Sequence, residues 1–307
     1  MLVVNAMIKI IAALGLGFLL RRIKLLDSAA TSAMSKLTLE AACPCMIFSS
    51  IVGMDSENKS DVGTLMIIGV LIYIILAIFG IIISKLISNG SKPLFCMFLS
   101  LILFGNVGFM GFPLAESFFG DLGVSYMGLL NIHFTVLMFT LGLYLCQKSA
   151  GKSEKFNLLK MINTSTIGIV LSVLIFFLNI EVPEIIMQPI DFIGQLMSPL
   201  ALIITGSTIA SYPFAKMFGN WRYYVIAASR LVVIPAVLFF VLKPFFGAGA
   251  ATQVSVMSVG VPPASTITMM AVAYEGDHET SSLTCGLCTI LSIGTVPLLY
   301  LFMNAMA

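Results

Sequence analysis

Residues 104–120 read FGNVGFMGFPLAESFFG. The stretch is apolar enough to lie in lipid, yet Gly105, Gly108, Gly111 and Pro113 fall within nine positions. Glycine weakens a helix and lets another backbone approach, while proline removes a donor and clashes with the preceding turn. An unbroken helix is therefore not expected here. Residues 257–270, MSVGVPPASTITMM, carry the same conflict at Gly260, Pro262 and Pro263. Pro262-Pro263 should stop an α-helix, because the residue before a proline avoids the α region. Backbone groups freed in hydrocarbon cost several kcal/mol each unless protein or water satisfies them. Two broken helices are best tolerated where they cross and line a polar cavity. Their half-helix N-termini then direct partial positive charge into it, which suits an anion. A proline that merely kinks a spanning helix is the other reading. For Pro44 or Pro199 taken singly, the two readings stand level.

The rest of the chain makes lipid the reference solvent. Only 10% of the 307 residues are charged, against about 25% in a soluble domain. Hydrophobic residues make up 59%, with a mean hydropathy of +1.07. Too few polar groups remain to cover a water-soluble globule. A soluble enzyme, a nucleic-acid binder and a disordered chain are excluded, and a net charge of +2 carries no message about partners. The six cysteines lie in or beside apolar stretches and read as small hydrophobes. Cys285 and Cys288 have redox spacing without the soluble βαβ context that would give it meaning. The apolar run 2–20 is followed, not preceded, by Arg21, Arg22 and Lys24, so it reads as a retained first span.

A spanning helix needs about 20 mostly apolar residues. Ten segments qualify: 2–20, 32–53, 63–87, 93–117, 123–146, 163–180, 189–211, 222–246, 250–273 and 280–304. Loops after odd-numbered segments hold eleven basic residues: Arg21, Arg22, Lys24, Lys85, Lys92, Lys148, Lys152, Lys155, Lys160, Lys216 and Arg222. Loops after even-numbered segments hold Lys59 and Lys243. By the positive-inside rule the central loop is cytoplasmic and both termini lie outside. The expected fold is an all-α polytopic membrane protein of two five-helix repeats: residues 1–146, a basic loop 147–162, and residues 163–307. Five spans per half force opposite orientations on the halves, as in many secondary transporters. An offset of 155 carries Pro44 onto Pro199 and Gly105 onto Gly260, each pair in corresponding spans.

GNVGFMGFPLAESFFG (105–120) resembles the fourth-span signature of the auxin efflux carrier family, which includes plant auxin exporters and bacterial dicarboxylate permeases. SKLTLEAACPCMIFSS (35–50), SPLALIITGSTIA (198–210) and VGVPPASTITMMAVAYEGD (259–277) look like the same family, in register and nearly end to end. The resemblance implies an elevator-type carrier. Spans 1, 2, 6 and 7 would form a scaffold, through which a homodimer would also form. Spans 3–5 and 8–10 would form a transport domain whose broken spans 4 and 9 carry the substrate. It also implies mono- or dicarboxylates of the auxin, malate or malonate type, and a plasma-membrane location. The chain lacks the long cytoplasmic loop of many plant members, and its third span has no carboxylate between Val62 and Ser84.

Candidate binding residues gather at the breaks. Asn106 offers two donors and an acceptor at membrane depth. It matches the family's cavity asparagine and reads as a substrate contact or as a bridge for the broken backbone. Gly105, Gly108, Pro113, Pro262 and Pro263 shape the site, with Ser258 just before the second break. Ser265 and Thr266 start a half-helix, where hydroxyls bind a carboxylate or cap the helix. Asn131 and His133 lie in span 5; the histidine relays a proton or bonds between helices. Arg230 in span 8 either snorkels to the cytoplasmic interface or draws an anion inward, as the family's basic residue there would. The two broken spans contain one charge, Glu116, so an anion site is expected to rely on helix ends, amides and hydroxyls. Residues 275–279 form an acidic turn that matches no calcium loop and reads as solvated. No cofactor or metal is expected, and a proton or sodium ion is the candidate coupling ion. The expected function is secondary transport of small organic anions. A membrane sensor that binds without transport is the rival, and no motif supports an intramembrane enzyme.

Overall fold

The computed structural model describes residues 2–53, 59–151, 164–211, 214–273 and 276–307. Lys152, Lys155 and Lys160 of the basic loop, the connector 55–58 and Glu275 of the acidic turn lie outside the described residues. Every regular element among the described residues is helical. In chain order these are α1 (Leu2–Arg22), α2 (Ser28–Leu37), α3 (Cys43–Val52), α4 (Lys59–Ile87), α5 (Lys92–Leu103), α6 (Phe112–Leu137), α7 (Leu143–Ser149) and α8 (Thr164–Leu178). The second half continues with α9 (Glu184–Gly194), α10 (Met197–Ser211), α11 (Phe214–Met217), α12 (Trp221–Ala228), α13 (Ile234–Phe246), α14 (Ala250–Gly260), α15 (Ser265–Ala273) and α16 (His278–Met306).

Among the described residues, five helical stretches are long and apolar enough to cross a membrane: Ser28–Val52, Ser60–Ile87, Glu184–Ser211, Trp221–Phe246 and His278–Met306. A sixth is added if Val107–Leu137 and Thr140–Ser149 count as one bent span. Lys92–Leu103 and Ile167–Leu178 are apolar but shorter. Hydropathy alone gave ten segments, and part of the difference is local. The segment 250–273, for example, is built as α14 and α15, each too short to span.

Prolines are accommodated by widened turns. Among the described residues, π-helical turns join consecutive helices at Thr38–Ala42, Met138–Gly142 and Ser229–Val233, and a fourth, Val107–Gly111, leads into α6 after the break at 104–106. Three of them end two residues before a proline, namely Pro44, Pro113 and Pro235. A proline cannot donate to the carbonyl four residues back, and its ring collides with that carbonyl. For these prolines the carbonyls belong to Glu40, Phe109 and Leu231, each inside its π turn. The i→i+5 pattern moves the carbonyl aside, so the helices continue. Pro199 needs no such turn, because it is the third residue of α10, where backbone donors are unpaired anyway.

The residues pack as two compact units. The first is Met1–Met66, Val107–Ile132 and Met161–Ser211. Here α1 meets α10 backbone to backbone: a Cβ on Gly17 would overlap the Ile203 carbonyl, and one on Gly206 would overlap that of Leu14. Polar groups inside it are paired. Ser125 Oγ donates to the Ser50 carbonyl at 2.7 Å, the Tyr126 hydroxyl donates to Asp61, and Ser198 donates to Glu116. The second unit is Ile67–Asn106, His133–Lys160 and Tyr212–Ala307. Its core holds Phe98, Phe104, Phe239 and Met257, all buried, with the Phe239 and Phe302 rings 5.8 Å apart.

Candidate functional site

In the second unit α5 runs from its cap at Ser91 to Leu103, after which Phe104 turns extended (φ −109°, ψ 111°). Likewise α14 stops at Gly260, and Val261 is extended (φ −80°, ψ 154°) before α15 starts at Ser265. The two interrupted stretches satisfy each other. The Asn106 amide donates to the Pro262 carbonyl at 2.7 Å, and the Ala264 amide donates to the Phe104 carbonyl at 2.9 Å. These bonds frame an antiparallel bridge between Gly105 and Pro263, an isolated one among the described residues. Neither Pro262 nor Pro263 has to donate, so the prolines end α14 without leaving a donor orphaned.

Arg230 lies on the π turn between α12 and α13 and is 1% exposed. Its Nε donates to the Val261 carbonyl at 2.9 Å, and its Nη1 donates to the Ile102 carbonyl. Ile102 is in the last turn of α5, and Val261 directly follows α14. Both carbonyls are therefore at C-terminal helix ends, where unpaired acceptors and the helix dipole favour a cation. Nη2 lies against Gly105: a Cβ on that glycine would overlap it. Among the described residues no carboxylate forms an ion pair with Arg230. Snorkelling is thus corrected. The guanidinium turns inward, because two helix-end carbonyls replace the water it would otherwise seek. The two broken spans carry one charge, Glu116, and Arg230 of a neighbouring helix adds a cation beside the breaks.

The remaining candidates divide between the units. Gly105, Asn106, Pro262 and Pro263 are buried and joined by the bridge, with Arg230 behind them. Ser258, half-buried, turns its hydroxyl back to the Ser255 carbonyl at 2.7 Å. Ser265 and Thr266, also half-buried, open α15. Thr268, one turn on, shares hydrogen bonds with Ser281 (3.2 Å) and the Cys285 thiol (3.6 Å). The ring of His133 lies against Gly69 of α4, where a Cβ would overlap it, so it packs between helices. Gly108, Pro113 and Asn131 fall in the first unit, in the second π turn and on α6.

Some features escaped the sequence reading. The Glu116 carboxylate, half-buried, accepts from Ser198, which lies 82 residues away. No spacing rule links the two, and only the charge within an apolar stretch signalled a partner. In the same unit Ser49, Ser50, Gly53, Asp121, Glu184 and Asp191 line a cleft of about 330 Å³. The acidic turn is partly engaged. Asp277 caps α16 by accepting from the Thr280 amide at 3.0 Å, and Glu279 pairs with Lys216 at 2.7 Å. That ammonium holds the Glu279 carboxyl below the usual carboxylate range, and the carboxylate raises the Lys216 ammonium in turn.

The profile of a family described as membrane transport protein matches residues 2–158 and again 153–300. An uncharacterized transporter of Methanocaldococcus jannaschii is 23% identical over 201 residues. That match covers 64% of this chain and 64% of the archaeal protein, just under two thirds of its length.

Proposed function

The chain belongs to the membrane transport protein family, that of the auxin efflux carriers, and from that premise we propose that it is a secondary transporter of small organic anions. The observation that carries the anion is Arg230: a buried cation at the paired helix breaks, with no carboxylate partner among the described residues. In a low-dielectric interior such a charge raises the local potential and favours a negative ligand nearby. The N-terminus of α15 adds partial positive charge of the same sign.

Asn106, Gly105, Pro262, Pro263, Ser265 and Thr266 form the proposed substrate site, with Ser258 beside it. Gly108, Pro113 and Asn131 are proposed separately, as binding residues within the first unit. The cycle is of the elevator type, between ten spans arranged as two inverted repeats. Its support is that α1–α3 and α8–α10 pack in one unit and α5, α7 and α12–α16 in the other, although Val107–Ile132, expected with the transport domain, packs in the first. A mono- or dicarboxylate such as malonate or malate is the proposed cargo, and a proton or sodium ion the candidate coupling ion. The cell membrane is the proposed location.

The test is flux of labelled carboxylates into proteoliposomes, preceded by a thermal-shift screen, because a ligand of the folded state raises the melting temperature by mass action. Asn106→Ala is expected to reduce flux at least about tenfold, the effect of losing one good polar contact, with melting unchanged. Normal flux in that variant removes Asn106 from the site. Binding without flux assigns the protein to sensing instead.

A further inference from the structure

One planar group touches both interrupted helices. Arg230 is 31 residues from Val261 and 128 from Ile102, and it meets the C-terminal carbonyls of α14 and α5 together. The backbone bridge alone joins residues 104–106 to 262–264 by two hydrogen bonds, from Asn106 and Ala264. A two-bond pairing that lacks any further ladder is weak by itself, as isolated pairings are marginal. The guanidinium adds two charge-assisted bonds, one at the exit of each half-helix, in the geometry that a rigid planar fork permits. It also fills the space that Gly105 leaves open, since a Cβ there would overlap Nη2. The glycine and the arginine therefore form one fitted contact: a side chain at position 105 expels the guanidinium, and loss of the guanidinium leaves the two carbonyls unpaired.

We infer that Arg230 is a positioning residue: it locks the two broken helices in register, so that the Asn106 amide region and the start of α15 are presented in fixed geometry. The lock is a structural statement; that it presents a substrate site rests on the transporter reading above. Lysine keeps the charge but offers no fork, so Arg230→Lys holds the breaks only in part. Arg230→Met keeps much of the bulk and loses both bonds.

The experiment is hydrogen exchange of the detergent-purified full chain, read on peptides covering 102–108 and 260–266, with malonate affinity measured beside it. Arg230→Met is expected to accelerate exchange at both breaks by about tenfold or more and to leave α1 and α10 unchanged. Arg230→Lys should be intermediate, and Gly105→Ala should reproduce the Met variant. Because the two changes abolish one contact, the double variant should exchange no faster than either single one. Unchanged exchange in Arg230→Met overturns the inference, and so do effects that simply add. If Arg230→Met does not fold, Arg230→Lys and Gly105→Ala carry the same comparison. Failure of malonate to bind counts against the substrate class alone, because exchange at the breaks is read without ligand.

Discussion

Arg230 shows why a residue's type and its direction are separate pieces of information. An arginine flanked by apolar residues is visible in any hydropathy trace, and its snorkelling neighbourhood near Arg222 is visible too. What decides its role is a pair of carbonyls, one of them 128 residues away, which no local pattern reports. The prolines and glycines of 104–113 and 260–263 were legible because they act on their own backbone. At the surface, the Lys216–Glu279 pair is a weaker device. Its Glu279 carboxyl titrates below its ordinary range, so its contribution to stability is present at neutral pH and is lost as pH falls through that depressed value. The Lys216 side is lost only as pH rises through the raised ammonium value. Both groups are exposed and screened. Glu279→Gln is therefore expected to shift the melting temperature by less than about 2 °C at neutral pH, and added salt should erase the difference.

Among elements, the break between α14 and α15 was legible in sequence, since two successive prolines allow little else. The π turns were not. Each proline signalled a disturbance, but whether a helix breaks or widens depends on the packing that holds both sides, which the sequence does not display. Pro44, Pro113 and Pro235 each follow a widened turn by two residues, whereas Pro262 and Pro263 end a helix. The contact of α1 with α10 is another tertiary fact. Gly17 and Gly206 look like ordinary membrane glycines, yet each lies against a carbonyl of the other helix. Close backbone approach of this kind is the packing that small residues permit in lipid. Gly206→Val is expected to destabilise the first unit by about 3 kcal/mol, the upper end of overpacking costs. Thermal unfolding in detergent would measure it, and an unchanged midpoint would refute the backbone contact. Gly63, which has open space around it, is the control: Gly63→Ala should be neutral or slightly stabilising.

At the scale of the molecule, hydropathy and loop charge predicted a polytopic membrane protein, and the family match supports a transporter. The number of spans was less legible, because hydropathy counts apolar residues and does not see where a helix is cut. Two contacts in the second unit bear on sidedness. Lys216 pairs with Glu279, joining two loops expected in the cytoplasm, and Lys243 donates to the Met306 carbonyl, joining a loop and a terminus expected outside. In a background with the native cysteines replaced, Ala248→Cys is expected to react with an impermeant maleimide on intact cells. Asn89→Cys should react only after permeabilisation, and the opposite pattern would invert the orientation. A last consequence comes from the π turn that carries Arg230. Each residue of an α-helix advances the chain by about 100°, so the one extra residue in Ser229–Val233 acts as a phase shift between α12 and α13. Deleting Val232 would leave the span as greasy as before and nearly as long. It would swing one half of the span by about a quarter turn against the other. Hydropathy would tolerate that deletion; the protein should not, which makes single-residue gaps at these turns a sharper record of ancestry than substitutions.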